Sequence, residues 1–367
     1  MLGRIIRDLV PTGDNNRNSE GAFITLKDGR ILFIFSRYGA GGADDGALAN
    51  LYGMISTDNG ESFGDPYPIL YAADFEADNL MSTSLLRMQN GDIGLFFLMK
   101  TDVEHCRLFL TRSADEGATW SEPVLCTDPR GYFVVNNDRV IRTATGRLLA
   151  PAARHPLTCK INEAGKKVFD TLYPGLFTLF ASDDDGATWR KITDDTPMPP
   201  ARGITSGAQE PGLLPLEDGR IWCYIRNDSG RQYECWSNDD GTTWSEPTPS
   251  PFTSPVSPMC TKRLSTGEIL VVWNPIPLYN GRSQFAGGVW TGGRTPLALA
   301  ISRDDGKTFT DYQAAEDDPD HGYCYTAIHE APDGNILLAY CAGGPEDGGT
   351  LNKLRIKKID RSELIAL

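Results

Sequence analysis

The sequence of 367 residues lacks the features that mark several large classes of protein. No apolar run reaches the roughly 18 residues that a membrane span needs. The eight cysteines are scattered without CxxC spacing, which argues against a disulfide scaffold and a zinc site and predicts free, half-buried thiols. No cluster of His, Cys and Asp has metal-ligand spacing, and no glycine-rich loop links a strand to a helix. We therefore expect neither a metal nor a cofactor.

Positive charge is also scarce, because 35 Lys and Arg face 49 Asp and Glu, which gives a formal net charge of −14. A polyanion gains nothing by releasing counterions from a surface of its own sign, so neither nucleic acid nor an anionic membrane is an expected partner. A small molecule or a glycan is expected instead, and the oligomeric state stays open. The first residues, Met1–Asp8, carry no signal-peptide stretch, which indicates a cytoplasmic protein or a secreted one trimmed of its signal.

An octapeptide of the form Ser-x-Asp-x-Gly-x-(Ser/Thr)-(Trp/Phe) recurs five times. The copies begin at Ser56, Ser113, Ser182, Ser237 and Ser302, so they are spread over the chain at somewhat uneven intervals. In each copy the Asp carboxylate can accept backbone N–H bonds, the Gly can take a positive φ, and the aromatic ring can pack beneath the turn. These Asp residues are therefore expected to be structural rather than catalytic.

A second repeat lies between the octapeptides and consists of six hairpins. Each has an Asp-Gly, Asn-Gly or Thr-Gly turn between apolar, β-rich runs. The hairpins span 25–35, 87–97, 143–152, 215–225, 264–273 and 331–340. About four strands per unit predict an all-β fold, a six-bladed β-propeller with five boxed turns, as a single domain over residues 1–367. The last unit lacks an octapeptide, so we expect a strand near residues 5–10 to join its sheet and close the ring.

Equivalent positions in the six hairpins should surround one pocket, because the innermost strand of each propeller blade starts beside the central channel. The residues eight positions before each turn pair are Glu20, Ser82, Asn137, Glu210, Pro258 and Tyr325. Five of the six are polar, where a buried strand would ordinarily be apolar. A ring of polar side chains around one axis predicts a binding or catalytic site there.

The chain resembles the sialidases, or neuraminidases, a family of six-bladed propellers that carry such octapeptides as Asp-boxes. The resemblance covers essentially the whole chain. Its most specific part runs from Gln209-Glu210-Pro211-Gly212 to Arg226, where a Glu opens one strand of the hairpin and an Arg closes the other. The resemblance implies that Glu210 is the catalytic glutamate and that Arg226 belongs to the arginine triad that binds the substrate carboxylate.

The same resemblance assigns three further residues. Arg294, which precedes Thr-Pro-Leu, matches another triad arginine, and Tyr325, which precedes Thr-Ala-Ile, matches the nucleophilic tyrosine. Asp45 lies in the stretch that leads into the first octapeptide at Ser56, where sialidases place their acid/base aspartate. Asp44 is the adjacent alternative.

The chemistry of a sialoside explains this set of groups. The anomeric carbon carries a carboxylate, so a neutral phenol avoids the repulsion that a carboxylate nucleophile would meet, and sialidases are an exception to the two-carboxylate scheme of glycoside hydrolysis. Glu210 would take the proton of Tyr325, and Asp45 would protonate the leaving oxygen and later activate water. Arginine suits the substrate carboxylate because its planar guanidinium bonds it in bidentate fashion.

The sequence departs from the family at the first blade, which sialidases open with Arg-Ile-Pro. Here Ser19 stands at the position of that arginine, and Glu20 adds negative charge where an acidic sugar would bind. Arg17, Arg37 and Arg154 are the candidates to replace the missing arginine.

We therefore expect an exo-glycosidase of the sialidase type that releases a terminal sialic acid or related acidic sugar with retention, through a tyrosyl-enzyme intermediate. Asn137, Arg154 and His155 of the third blade are candidates to line the same pocket. Two alternatives remain. One is a propeller glycosidase or lyase for a different sugar, which would use Glu20, Glu210 or His155. The other is a glycan-binding propeller without catalysis.

Overall fold

The computed structural model describes residues 1–199, 204–279, 281–310 and 312–365. Strands make up nearly all of the regular structure in this part of the chain. The helical segments among the described residues are two 3₁₀ turns and one α-helix, at Ala72–Phe75, Pro345–Asp347 and Arg361–Ile365. None of the helices in the described ranges is long and apolar enough to cross a membrane.

Twenty-nine strands, β1 to β29, are described in chain order. β1 to β5 are Arg4–Leu9, Asn18–Thr25, Ile31–Tyr38, Ala49–Ser56 and Tyr67–Leu70. β6 to β9 are Asn79–Arg87, Ile93–Asp102, His105–Ser113 and Val124–Leu125. β10 to β16 are Phe133–Val134, Ile141–Arg142, Leu148–Arg154, Leu157–Ile161, Lys167–Leu172, Leu176–Ser182 and Arg190–Lys191. β17 to β20 are Gln209–Pro215, Ile221–Arg226, Arg231–Ser237 and Thr248–Thr253. β21 to β26 are Cys260–Arg263, Ile269–Trp273, Phe285–Ala286, Val289–Trp290, Leu297–Ser302 and Gln313–Glu316. β27 to β29 are Cys324–Glu330, Ile336–Cys341 and Leu354–Ile359.

The strands pair as antiparallel meanders of chain neighbours. β17 to β20 form one four-stranded sheet, and β21, β22, β25 and β26 form another. β10, β11, β12, β15 and β16 form a five-stranded sheet, and β27 to β29 form a four-stranded sheet with β1. Around the axis, β2 packs against β6 and β27, while β17 packs against β12 and β21. The all-β propeller predicted from the repeats is therefore confirmed.

The first two repeat units are joined in one eight-stranded sheet, β2 to β9. Within it, the meanders β2–β5 and β6–β9 meet through a parallel pair of residues, Ala49 and Asn79. The hydrogen bonds therefore do not divide the strands into the six separate blades that were predicted. The described residues form four sheets of blade size and one of double size.

The ring is closed by the pairing of β1 with β29. The register runs from Arg4 opposite Lys358 to Leu9 opposite Leu354. Arg355 of β29 adds a bidentate ion pair with Asp8 of β1, with both nitrogen–oxygen distances at 2.8 Å. The prediction that an N-terminal strand joins the last sheet is confirmed.

Apolar side chains fill the spaces between neighbouring sheets. Phe33 of β3 and Leu337 of β28 belong to one buried cluster, which packs the first repeat unit against the last. All eight cysteines are free thiols. Seven of them are fully buried, and Cys159 is half-buried, so the expectation of mostly half-buried thiols was wrong. Six of the buried cysteines lie on strands, and Cys126 directly follows β9.

The octapeptides share one hydrogen-bonded turn, illustrated by the copy that begins at Ser182. The Asp184 carboxylate accepts bonds from the Ser182 hydroxyl at 2.7 Å, the Thr188 N–H at 2.9 Å and the Thr188 hydroxyl at 2.6 Å. The Gly186 N–H donates to Ser182 Oγ at 2.7 Å, with φ at 93°. The same bonds recur in the other four copies. Each turn is thus held by its own Asp.

Two small hairpins account for the uneven spacing of the octapeptides. β13–β14 is inserted between the second and third copies, and β23–β24 lies between the fourth and fifth. These are the two longest intervals between successive copies. The two shorter intervals hold no such two-stranded sheet among their described residues. The insertions are additions to the repeat and not part of its four-stranded plan.

Replacing Asp184 with alanine should lower the free energy of unfolding by about 1–2 kcal/mol at neutral pH, because three donors lose their acceptor. Bonds from Thr188 and Ser182 lower the pKa of Asp184 to about 2. A depressed folded-state pKa gives stability that is present above pH 4 and lost as the pH falls towards 2, so the deficit of the variant should shrink over that range. Urea denaturation at several pH values measures this. The control Asp194→Ala, at an exposed carboxylate, should stay within about 0.5 kcal/mol of wild type.

Candidate active site

Four inner strands begin with a β-bulge that contains a left-handed residue. The bulges lie at Ser19–Ala22, Met81–Ser84, Gln209–Gly212 and Cys324–Ala327. The left-handed residues are Glu20, Ser82, Glu210 and Tyr325, with φ of 52°, 56°, 44° and 59°. This backbone costs a residue other than glycine about 1–3 kcal/mol and concentrates at functional sites, while a bulge re-aims its side chain. These are four of the six residues that the sequence count placed on the channel.

In the third and fifth units, the residue eight positions before the turn pair is not a left-handed one. In the third unit the left-handed residue is Asp138, with φ of 55°, one position after the predicted Asn137. The Asn137 amide nitrogen nevertheless donates to Gly21 O at 2.9 Å and Tyr325 O at 3.1 Å, which ties three units together at the axis. Pro258 of the fifth unit cannot take a left-handed conformation, because its ring fixes a negative φ.

One cluster lies where β17 and β27 begin. It consists of Tyr325, Glu210 and Arg226. The Tyr325 hydroxyl donates to Glu210 Oε1 at 3.1 Å. Arg226 Nη1 donates to Tyr325 Oη at 3.3 Å and lies 2.6 Å from Glu210 Oε2. Gln209 pairs with Arg226 across β17 and β18, so the bulge and the strand end place these groups side by side. The structure brings together three residues predicted from the sequence.

The environment of Tyr325 keeps its phenol protonated in the free protein. Burial, and then the charge of Glu210, raise the pKa of Tyr325 above its ordinary value near 10. The guanidinium groups of Arg226 and Arg294 act in the opposite direction. A neutral phenol that donates to a carboxylate is an arrangement in which the carboxylate can take the proton as the oxygen attacks.

Arg294 lies over the ring of Tyr325, whereas Arg226 bonds its hydroxyl. Its guanidinium carbon is 5.4 Å from the centre of the Tyr325 ring and 4.7 Å from the centre of the Trp290 ring. Nε and Nη2 donate to Val256 O at 3.2 and 3.0 Å, and Nη1 donates to Cys324 Sγ at 2.9 Å. Two of the predicted arginines, Arg226 and Arg294, therefore flank Tyr325.

Arg17 bridges two acidic residues of the first unit. Its Nη2 donates to Glu20 Oε1 at 3.1 Å, and its Nη1 donates to Asp45 Oδ1 at 2.6 Å. Nη1 and Nη2 also reach Ala43 O and Ser19 Oγ, at 3.1 and 3.2 Å. Only 1% of the Arg17 side chain is exposed, so both terminal nitrogens are engaged inside the protein. Arg17 holds Asp45 in place and is not an open carboxylate receptor.

Glu20 and Asp45 differ in their surroundings. Burial raises the pKa of Glu20, while Arg17 and the Ser82 hydroxyl, which donates to it at 2.8 Å, oppose that change. The side chain of Asp45 is 60% exposed at the rim. Desolvation acts to raise its pKa, but Arg17 and then Lys100 outweigh this and hold the pKa of Asp45 below its ordinary value. Asp45 is thus an ionised carboxylate in the free protein.

Three predicted residues make no described contact with the side chain of Tyr325. Arg37 pairs with Asp14 at 3.5 Å and stacks on the Tyr52 ring, and Arg154 forms an ion pair with Asp195. Among the described contacts, the only atom of Tyr325 that the Asn137 side chain bonds is its backbone oxygen. The candidates to replace the missing arginine therefore do not join Arg226 and Arg294 in the described part of the chain.

Asp44 and His155 form no hydrogen bond with Tyr325, Glu210 or Arg226 among the described contacts. Asp44 Oδ1 accepts the Gly46 N–H at 2.9 Å, which fastens its own loop. His155 is buried with Nδ1 3.2 Å from Tyr173 O, and desolvation lowers its pKa. Of the two adjacent aspartates, Asp45 is the one that Arg17 holds.

Sequence reasoning missed Lys100 and Cys324. Lys100 Nζ donates to Asp45 O at 2.6 Å, and the residue lies near the end of the second strand of its hairpin, as Arg226 does in the fourth unit. That shared position was the available signal. Cys324 faces Cys341 across β27 and β28 and accepts the bond from Arg294, and its place directly before Tyr325 was its signal.

A group of possible metal ligands lies elsewhere, at His321, Glu346 and Asp347. Lys353 Nζ lies 2.6 Å from Asp347 Oδ2 and 3.1 Å from Glu346 Oε1. The ammonium group already supplies the positive charge that these carboxylates need, so this cluster does not fit a metal centre.

Replacing Arg17 with methionine should lower the free energy of unfolding by about 3–5 kcal/mol, because the buried Glu20 carboxylate loses its partner. Without Arg17 the pKa of Glu20 lies still higher, so the loss should grow as the pH rises and shrink in acid. The double variant Arg17→Met, Glu20→Gln should recover part of the loss. Chemical denaturation at pH 5 and pH 8 measures this.

The matched control is Arg37→Met. Arg37 is 27% exposed and its partner Asp14 is 80% exposed, so this pair should contribute at most about 1 kcal/mol. Equal losses in the Arg17 and Arg37 variants would contradict the bridging role of Arg17.

The chain matches known proteins in sequence over most of its length. The family model of the BNR repeat-like domain matches residues 72–338, well over half of the chain. An anhydrosialidase of Macrobdella decora is 28% identical over 278 residues. That match covers 70% of this chain and 32% of the relative, so the chain spans about a third of its length.

Solved structures share the fold at low identity. A leech intramolecular trans-sialidase complexed with 2,7-anhydro-Neu5Ac aligns over 100% of this chain and 71% of its own, with a TM-score of 0.73 and 17% identity. The NanB sialidase of Streptococcus pneumoniae aligns over 99% of this chain and 71% of its own, with a TM-score of 0.71 and 14% identity. The family match shows that the chain belongs to the BNR repeat-like family, and the solved structures show that it shares the β-propeller fold of these sialidases.

Proposed function

We propose that the protein is an exo-glycosidase of the sialidase type, which releases a terminal sialic acid or a related acidic sugar from glycoconjugates. The observation that carries this proposal is the hydrogen bond of 3.1 Å between the Tyr325 hydroxyl and Glu210, with Arg226 beside both oxygens. A phenol activated by a carboxylate suits attack on an anomeric carbon that itself bears a carboxylate. The family membership and the anhydrosialidase match support the same reaction class.

In this proposal Tyr325 Oη forms a bond to the anomeric carbon while the glycosidic bond breaks. Glu210 takes the phenol proton, and Asp45 gives a proton to the leaving oxygen. In the second step water attacks the same carbon, Asp45 takes a proton from it, and Glu210 returns the first proton to Tyr325. Two inversions give overall retention.

Asp45 is better suited to the second step than to the first in the free protein. Its pairing with Arg17 keeps it ionised, which is the form that accepts a proton from water. Acid catalysis requires that it first gains a proton, so the first step is favoured by acidic pH.

Arg226 and Arg294 are the proposed receptors of the substrate carboxylate. They flank Tyr325, whereas Arg17 is occupied by Glu20 and Asp45. The proposal is therefore a grip by two arginines. The negative charge of Glu20 at the axis is offset locally by Arg17, so it repels the ligand less than the sequence alone suggests.

We also propose that the ring counts as six blades with five Asp-box turns in one domain. The eight-stranded sheet supports this count, because it consists of two four-stranded meanders joined through one residue pair. The bulges at Glu20 and Ser82, one in each meander, support it further.

A second candidate function differs in the group that finally accepts the sugar from the enzyme. The sequence relative is named an anhydrosialidase, and structural neighbours include intramolecular trans-sialidases of the leech and of Ruminococcus gnavus. In an intramolecular transfer, a hydroxyl of the bound sugar replaces water as the attacking group. The same Tyr325, Glu210 and Asp45 would serve both outcomes.

Replacing Tyr325 with phenylalanine or Glu210 with glutamine should reduce kcat on a fluorogenic sialoside by at least about 100-fold, because nucleophile or base is lost. The control is Tyr323→Phe, a buried tyrosine two residues away, which should leave kcat within about twofold. If both active-site variants turned over the substrate at the wild-type rate, the assignment would be refuted. A wild type inert on sialosides but active on another glycoside would favour the alternative specificity.

The product separates hydrolysis from intramolecular transfer. Incubation with 3′-sialyllactose in water enriched in ¹⁸O should label the released sugar if water is the acceptor. An unlabelled product that is lighter by one water molecule would identify transfer. Mass spectrometry distinguishes the two, and we expect hydrolysis to be the minor product if the likeness to the anhydrosialidase extends to the reaction.

A further inference from the structure

A cavity of about 660 Å³ has Asp45 in its lining. The loop before β4 supplies Asp45, β7 supplies Lys100, and the inserted hairpin β13–β14 supplies Phe169 and Leu172. Tyr132 lies between them and meets Phe169 edge to face, with ring centres 5.7 Å apart. The volume lies within the range of about 300–1,000 Å³ that is typical of ligand sites.

The hairpin presents apolar side chains that its own sheet does not cover. Phe169 is 41% exposed and Leu172 is 51% exposed, and both line the cavity. β13 and β14 pair only with each other in the described sheets, so no neighbouring strand restricts what these side chains contact. An addition to the repeat that exposes an aromatic ring beside the acid/base candidate needs a reason other than the fold.

We propose that this cavity binds the sugar that leaves, as a neutral hexopyranose, and that the β13–β14 hairpin selects substrates by this group. The inference rests on the proposed function, because it needs Asp45 to act on the leaving oxygen. Asp45 lines the cavity and is also held by Arg17 at the axis. A group whose oxygen receives a proton from Asp45 must occupy space next to that carboxylate, and this cavity is such a space.

The charges of the cavity favour a neutral occupant. Its lining carries four carboxylates and three ammonium groups, so they nearly balance. Several are already paired, since Lys167 contacts Glu104, Asp102 lies 2.9 Å from His105 Nδ1, and Lys100 donates to Asp45 O. An ionic leaving group would find no excess of opposite charge there. A sugar can bond its hydroxyls to these polar groups and place its apolar face on an aromatic ring.

The test compares two sialosides that differ only in the leaving group. 3′-Sialyllactose leaves a disaccharide that would fill the cavity, whereas methyl sialoside leaves methanol, which would not. Phe169→Ala should raise KM and lower kcat/KM for sialyllactose about tenfold, equivalent to about 1.4 kcal/mol. For the methyl glycoside kcat/KM should change by less than about twofold. Lactose should also inhibit the wild type competitively and the variant more weakly.

The matched control is Ile161→Ala on the same hairpin. Ile161 is 64% exposed and does not line the cavity, so its loss should leave both substrates unaffected. Circular dichroism of both variants should match wild type, because both side chains are exposed.

Each other outcome overturns the inference in a recognisable way. Equal losses on both sialosides would show a structural effect of Phe169, and no loss on either would show that the cavity is not used. A loss with an aryl sialoside but not with sialyllactose would identify an apolar occupant instead of a sugar. A wild type inert on every sialoside would refute the proposed function itself, which is a different failure.

Discussion

Left-handed backbone at the start of the inner strands is the constraint on which the candidate site depends. An extended strand would alternate its side chains between the two faces of its sheet, so Glu210 and Tyr325 would point into the cores between blades. The bulges turn them along the channel instead. The unfavourable backbone persists because buried partners hold it, with the Tyr325–Glu210 bond joining two such residues directly. Rigid sheets on both sides fix the distance between them.

Charge in the site is organised as small compensated groups. Arg226 faces Glu210, and Arg17 faces both Glu20 and Asp45. These pairings offset part of the cost of burying charge in a low-dielectric interior. Part of the net charge of −14 lies at the periphery, where every octapeptide places an Asp in an exposed turn. At about 8 Å of screening length, those outer charges act weakly at the axis compared with the local arginines.

Sequence periodicity predicted the propeller and its closure because both follow from repeated hairpins. Counting from the turns located Glu20, Ser82, Glu210 and Tyr325, since one repeat length fixes one backbone conformation. It misplaced the third unit by one residue, at Asn137 instead of Asp138, because no residue type marks a bulge. It could not show that Arg17 is already bound by two carboxylates, or that Arg37 and Arg154 pair elsewhere. Those facts depend on side-chain packing between segments far apart in sequence.

The pairing of residues 4–9 with residues 354–359 also affects how the protein is made. During synthesis β1 emerges before β29 and lacks this partner until β29 has also left the ribosome. Its backbone donors and acceptors stay open for that time, as an unpaired edge that can attract other strands. The sheet that contains β27 to β29 is the one whose pairing with β1 is delayed. Tyr325 and the Cys324–Cys341 pair lie in this sheet. The sheet that carries the proposed nucleophile is thus complete only when β1 and β29 have paired.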